Sequence, residues 1–238
     1  MFFGTEAGLP WPLAIVVALT AAAAIGFVNG GITQFFGVPS FITTLGTFFA
    51  INGITLTISD GFPRTPPDAG FMSTFIASTP FAGFMIAIVI VICMQVLLKN
   101  TRWGLHTVAT GGNLIGAGEA GIRINRVKIG NFMLASTLAG FVGIIEGTRI
   151  DSFDPLAGGT TIMFAAVSAA VIGGTALAGG SGTVAGAFVG AIVLGVLRDG
   201  FTLQGVSAFT FDLILGVAII LAMTLNVYLA RLRRAGRV

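Results

Sequence analysis

The chain has 238 residues, of which 55% are hydrophobic and 9% charged, and its formal net charge is +3. A soluble domain carries about 25% charged residues, so 12 basic and 9 acidic side chains cannot furnish the polar shell of a soluble enzyme, and the same apolar weight excludes a disordered chain. An all-α, polytopic membrane helix bundle remains, in which the positive balance reads as basic cytoplasmic loops rather than a nucleic-acid surface.

A span needs about 20 apolar residues to cross about 30 Å of hydrocarbon. Apolar runs bounded by charges, Gly and Pro predict about seven spans in one membrane domain. The first covers residues 10–28, with Pro12 in its first turn. The second covers 41–58, opened by Pro39 and Ser40 as breaker and N-cap and closed by Asp60 and Gly61. Residues 61–80 hold Pro63, Pro66, Pro67 and Pro80 and form a loop, with 71–77 a candidate interfacial helix. The third span, 81–98, contains the single cysteine, Cys93, which is expected to pack inertly. After a long basic loop over 99–128 comes the fourth span, 129–147. The fifth, 162–177, and the sixth, 183–197, are short and glycine-rich, as half-helices or a re-entrant pair would be. The seventh covers 208–229.

Lys and Arg set the orientation. A cytoplasmic C-terminus places Arg231, Arg233, Arg234 and Arg237 inside, together with Lys99, Arg102, Arg123, Arg126 and Lys128; only Arg64, Arg149 and Arg198 fall outside. The acids sort the other way, with Glu119 the one exception in an inside loop. Seven spans then put the N-terminus outside, although residues 1–9 carry no Lys or Arg. The chain is therefore expected to be the C-terminal part of a longer protein.

Several residues bear on function. Thr43, Thr44, Thr47, Asn52, Thr55 and Thr57 make the second span unusually polar. Thr44, Thr47 and Thr55 fall on related turns, with Asn52 near the same face. Uncharged hydroxyls and an amide suit a path for a neutral polyol. The plain alternative is that each Thr bonds back to its own helix and Asn52 joins two helices. Gly182, Gly186 and Gly190 repeat every fourth residue and predict a tight helix contact, with Gly143 and Gly147 a weaker version. Glu146 is a candidate intramembrane acid, although Arg149 stands one turn away to pair with it. The single His106 excludes a multi-histidine metal site. Residues 116–121 fit G-x-G-x-x-G, but no buried strand precedes them, so the dinucleotide reading fails. No Gly-Lys-Ser/Thr occurs, so ATP hydrolysis would need a separate subunit.

The 99–128 loop sets small residues in a basic frame. Composition alone allows either a solvated loop obeying the positive-inside rule or a short helix docking into another protein. Its pattern Trp103-Gly104, Ala109-Thr110-Gly111-Gly112-Asn113, Ala117, Gly121-Ile122 and Arg126-Val127-Lys128 resembles the cytoplasmic coupling loop of ABC-importer permeases of the ribose/xylose/galactose class. Pro39-Ser40-Phe41-Ile42-Thr43-Thr44-Leu45-Gly46, then Ile172-Gly173-Gly174-Thr175-Ala176-Leu177-Ala178-Gly179-Gly180-Ser181-Gly182-Thr183-Val184, then Gly205-Val206-Ser207, resemble further segments of that family in the same order. Members are usually longer at the N-terminus by several spans, and many carry an acidic triplet where Met163, Phe164 and Ala165 stand.

The resemblance implies the non-enzymatic permease subunit of an ATP-driven importer in the bacterial inner membrane, moving a monosaccharide or related polyol. It implies no cofactor on this chain, a cytoplasmic ABC ATPase that binds ATP, an extracytoplasmic substrate-binding protein, and a second permease chain. Gly111, Gly112, Asn113, Ala117, Gly121 and Ile122 would form the coupling surface. The alternatives are a permease for a branched-chain amino acid or nucleoside, or a secondary transporter working through Glu146.

Overall fold

Apolar runs with N-terminal caps and glycine stops dictate helices, and helices are what the chain forms. A computed structural model describes residues 10–65 and 81–205, with isolated positions from 210 to 228. Among the described residues there are eight helices: α1 (Trp11–Phe35), α2 (Ser40–Ser59), α3 (Ala82–Asn100), α4 (Arg102–Gly112), α5 (Leu114–Glu119), α6 (Ile124–Arg149), α7 (Gly159–Ile172) and α8 (Val184–Leu203). Five of them (α1, α2, α3, α6 and α8) are long and apolar enough to cross a membrane, whereas α7 is apolar but shorter.

Several boundaries differ from expectation for physical reasons. α8 runs 20 residues, or about 30 Å at 1.5 Å per residue, because Arg198 and Asp199 continue the helix instead of ending it. Of the two spans expected to be short, only α7 is so, at 14 residues. α1 runs past Val28 to Phe35, and its polar end includes Asn29 and Gly30, which are buried. α6 begins at Ile124, taking basic residues into its first turns. Much of the 99–128 loop is thus helical. Pro39 itself occupies the N-cap of α2, without a side-chain bond. Asp60 (φ 53°) and Gly61 (φ 75°) end α2 in the left-handed region. The candidate helix at 71–77 lies outside the described residues, as does most of the seventh span.

The chain divides into two units, residues 1–88 with 123–158, and residues 89–122 with 159–238. In the first unit, α1 and α6 run antiparallel in backbone contact. A Cβ on Gly26 would lie 2.5 Å from the Phe132 carbonyl oxygen, one on Gly30 would lie 2.9 Å from Ile129 Cα, and one on Gly140 would lie 2.8 Å from Ala22 Cβ. Gln34 Nε2 donates to Asn125 Oδ1 (2.9 Å) at the same end of the pair. Beyond the ends of α2 and α6, Arg64 and Phe153 exchange both backbone hydrogen bonds (3.1 and 2.7 Å) in an antiparallel bridge. The Phe153 ring covers Gly147, while Gly143 faces open space.

In the second unit, α7 and α8 form a helical hairpin around the 173–183 turn. The Gly186 carbonyl lies where a Cβ on Gly173 would go, and the Ala169 carbonyl where one on Gly190 would go. Ala169 and Leu194 form the buried apolar contact, with Ile172 against them. Close approach of this kind gives helices dispersion contact that lipid cannot compete for.

Candidate functional site

The first candidate site is the helical pair α4–α5. Thr101 is the joint that separates it from α3: its hydroxyl donates to the Leu97 carbonyl (2.6 Å) and accepts from the Gly104 amide (3.2 Å). The α3 end carbonyls of Leu97 and Leu98 occupy the space of any Gly104 side chain, so the fold-back requires glycine there. Asn113 is the second joint. It is extended (φ −149°, ψ 101°), its amide donates to the Ala109 carbonyl, and its Oδ1 accepts from the Gly116 amide at 3.0 Å. One residue thereby closes α4 and caps α5.

Gly121 and Ile122 form the stop. The Ile122 amide donates to the Ala117 carbonyl and the Gly121 amide to that of Gly118, both at 3.0 Å, with Gly121 left-handed at φ +80°. That is a Schellman closure, which a side chain at Gly121 would strain. Ala117 is buried at 5% exposure. Of the six residues expected to form a coupling surface, Asn113, Ala117, Gly121 and Ile122 shape the hairpin's joints; Ala117 is buried and Ile122 half-buried, whereas Gly111, Gly112, Asn113 and Gly121 are exposed. Beside them stand exposed apolar side chains the sequence reading passed over: Leu105 (67% exposed), Ile115 (75%), Leu114 and Val108. Their signal was apolar side chains persisting in a polar segment. Gly111 and Gly112 face the chain's own 173–183 turn. A Cβ on Gly111 would lie 2.8 Å from the Gly180 nitrogen, and one on Gly179 would lie 2.7 Å from the Gly111 carbonyl oxygen.

The second candidate site is the polar face of α2. Thr44, Thr47, Asn52 and Thr55 are all half-buried. At about 100° per residue they fall within an arc of about 140°. Thr44 donates to the Ser40 carbonyl (2.9 Å) and Thr47 to the Thr44 carbonyl (3.0 Å). Each hydroxyl still has lone pairs with which to accept from a passing hydroxyl.

Of the glycines expected to pack, Gly186 and Gly190 lie against Gly173 and Ala169 of the same chain, and Gly182 (φ +153°) lies against the Thr175 side chain. Thr183 caps α8, accepting from the Gly186 amide at 3.0 Å. Gly26 and Gly30 of α1 share the same four-residue spacing and lie against the backbone of α6, a contact the sequence reading passed over. Glu146 and Arg149 make a bidentate pair (2.7 and 3.0 Å), and both are more than half exposed.

Comparison with known proteins adds three findings. Residues 1–223 match the family model described as branched-chain amino acid transport system / permease component. The chain is 39% identical to a xylose/arabinose import permease of Sulfolobus acidocaldarius over 92% of its own length and 61% of that protein's. It is 34% identical to the ribose import permease of Escherichia coli over 90% of its length and 68% of that protein's, and 30% identical to an autoinducer 2 import system permease of Photorhabdus luminescens over 92% and 67%. The chain thus spans about three fifths to two thirds of the length of these relatives. No solved structure matches it.

Proposed function

Because this chain belongs to the permease family of branched-chain amino acid transport system components, and is a multi-pass membrane protein with five apolar helices of spanning length, we propose that it serves as the membrane subunit of an ATP-driven importer for a monosaccharide or related polyol. The observation that carries this reading is its identity, at 34–39% over nine-tenths of the chain, to permeases named for xylose/arabinose and ribose import. ATP is hydrolysed by a cytoplasmic ABC ATPase, a binding protein delivers cargo at the opposite face, and a second permease chain completes the pathway.

Geometry supports the division of labour. The exposed side chains of Leu105, Val108, Leu114 and Ile115 give the α4–α5 hairpin an apolar surface suited to a groove on the ATPase. The excess of basic residues at 99–128 and beyond 230 supports a cytoplasmic side for that hairpin and the C-terminus. The half-buried Thr44, Thr47, Asn52 and Thr55 line the sugar path on α2, where neutral hydrogen-bonding groups exchange partners with a polyol at little desolvation penalty.

Reconstitution with its ATPase and binding protein tests the reading. Labelled xylose, arabinose or ribose should enter proteoliposomes only with ATP. Uptake of leucine with none of the three pentoses would sink the sugar assignment.

A further inference from the structure

Three contacts in the second unit link α3, the α4–α5 hairpin and the turn that leads into α8. Thr101 joins the hairpin to α3 through the Leu97 carbonyl. Gln95 Oε1 of α3 accepts from the Ala185 amide (3.1 Å), satisfying one of the free donors at the start of α8. Gly111 and Gly112 meet Gly179 and Gly180, and a Cβ on Gly180 would lie 2.5 Å from Gly112 Cα. Gly179 (φ +88°) and Gly180 (φ +75°) are consecutive left-handed residues, a conformation glycine adopts without the cost a Cβ would add. The turn therefore presents bare backbone to the bare backbone of the hairpin.

We propose that these four glycines are a clasp that passes displacement of the α4–α5 hairpin to α7 and α8. The proposal rests on the importer reading, in which the ATPase moves the hairpin. A contact between side chains can absorb a shift by changing rotamer, whereas backbone against backbone has no such slack. Backbone hydrogen bonds brace the turn at its start and across its middle. The Thr175 amide donates to the Ala170 carbonyl (2.9 Å), closing α7, and the Ala176 amide donates to the Ser181 carbonyl (3.0 Å) across the turn. Thr183 then opens α8. A push on Gly179 and Gly180 reaches both helices, while Gln95 holds the α8 start to α3.

Proteoliposomes holding the whole assembly, with labelled xylose, arabinose and ribose as probes, test the clasp through uptake per ATP hydrolysed. Gly111→Ala adds a wedge without left-handed strain, and Gly180→Ala adds wedge and strain together. Gly158→Ala adds strain alone, since its φ is +95° with nothing within 4 Å. The first two should lower uptake per ATP about tenfold while the ATPase still co-purifies, and Gly158→Ala should match the wild type. Wild-type coupling in Gly111→Ala and Gly180→Ala, or an equal loss in Gly158→Ala, overturns the clasp. If the wild-type assembly hydrolyses ATP but takes up none of the three sugars, the importer reading falls and the clasp with it. Should the wedge variants fail to insert, amide exchange on the wild-type assembly decides. Nucleotide trapping should change protection of Ala176 and Gly179 together with residues 102–119, and a change confined to 102–119 overturns the proposal.

Discussion

Single glycines decide how closely the helices of the first unit approach, and their demands differ from site to site. Gly26 has its Cβ position filled by the backbone of Phe132 and Met133, whereas Gly143, on the facing helix α6, has nothing within 4 Å. Gly26→Ala should therefore lower thermal stability in detergent, by about 1–3 kcal/mol of overpacking. Gly143→Ala should hold or gain a few tenths up to about 1 kcal/mol from helix propensity. Equal melting temperatures for the two variants would contradict the contact. The sequence showed that glycines were numerous but not which ones faced a backbone, because open and crowded glycines look alike without the partner helix. Asn29 illustrates the same gap. It stands just past the expected first span, yet it lies inside α1 at 6% exposure.

At the scale of elements, the α4–α5 hairpin shows what was legible and what was not. Its place and its basic frame could be read directly, whereas Asn113 as the joint between two helices could not. The division between residues that shape it and residues that face outward could not, since small residues fit either role. Ala117 and Ile115 separate the two. Ala117→Leu overfills a buried site and should loosen the hairpin by about 1–3 kcal/mol, seen as new proteolytic cleavage within 102–122. Ile115→Ser should leave cleavage unchanged and reduce recovery of the ATPase on the permease. The reverse pattern would show that Ala117 is the contact residue. The stop signals were easier. Asp60 and Gly61 end α2 through local hydrogen bonds, and local chemistry is what a sequence records best.

For the whole molecule, charge is the main discriminator between an ATP-driven permease and an ion-coupled transporter. The rival needs a membrane-embedded acid that titrates during transport. Glu146 is instead bound to Arg149 one turn away, and both are exposed at the end of α6. An exposed pair of this kind is worth about 1 kcal/mol or less. Glu146→Gln should then keep ATP-dependent uptake, and an imposed proton or sodium gradient should drive none in either protein. Gradient-driven uptake that disappears in Glu146→Gln would favour the rival. The helices of membrane-crossing length followed from length and apolarity. The fifth and sixth spans were harder. Charges served as boundaries, and α8 carries Arg198 and Asp199 inside the helix.

The antiparallel contact of α1 with α6 also sets an order of events at the ribosome. Gly30 is translated about a hundred residues before Ile129, and synthesis proceeds at about 5–20 residues per second. For roughly 5 to 20 s at that rate, the glycine edge of α1 waits for the helix it packs against. A helix with an unfilled edge is a natural client for a membrane insertase, which can shelter that edge until α6 arrives. The backbone seam that fastens the finished unit thus makes its first helix dependent on help while the chain is still being made.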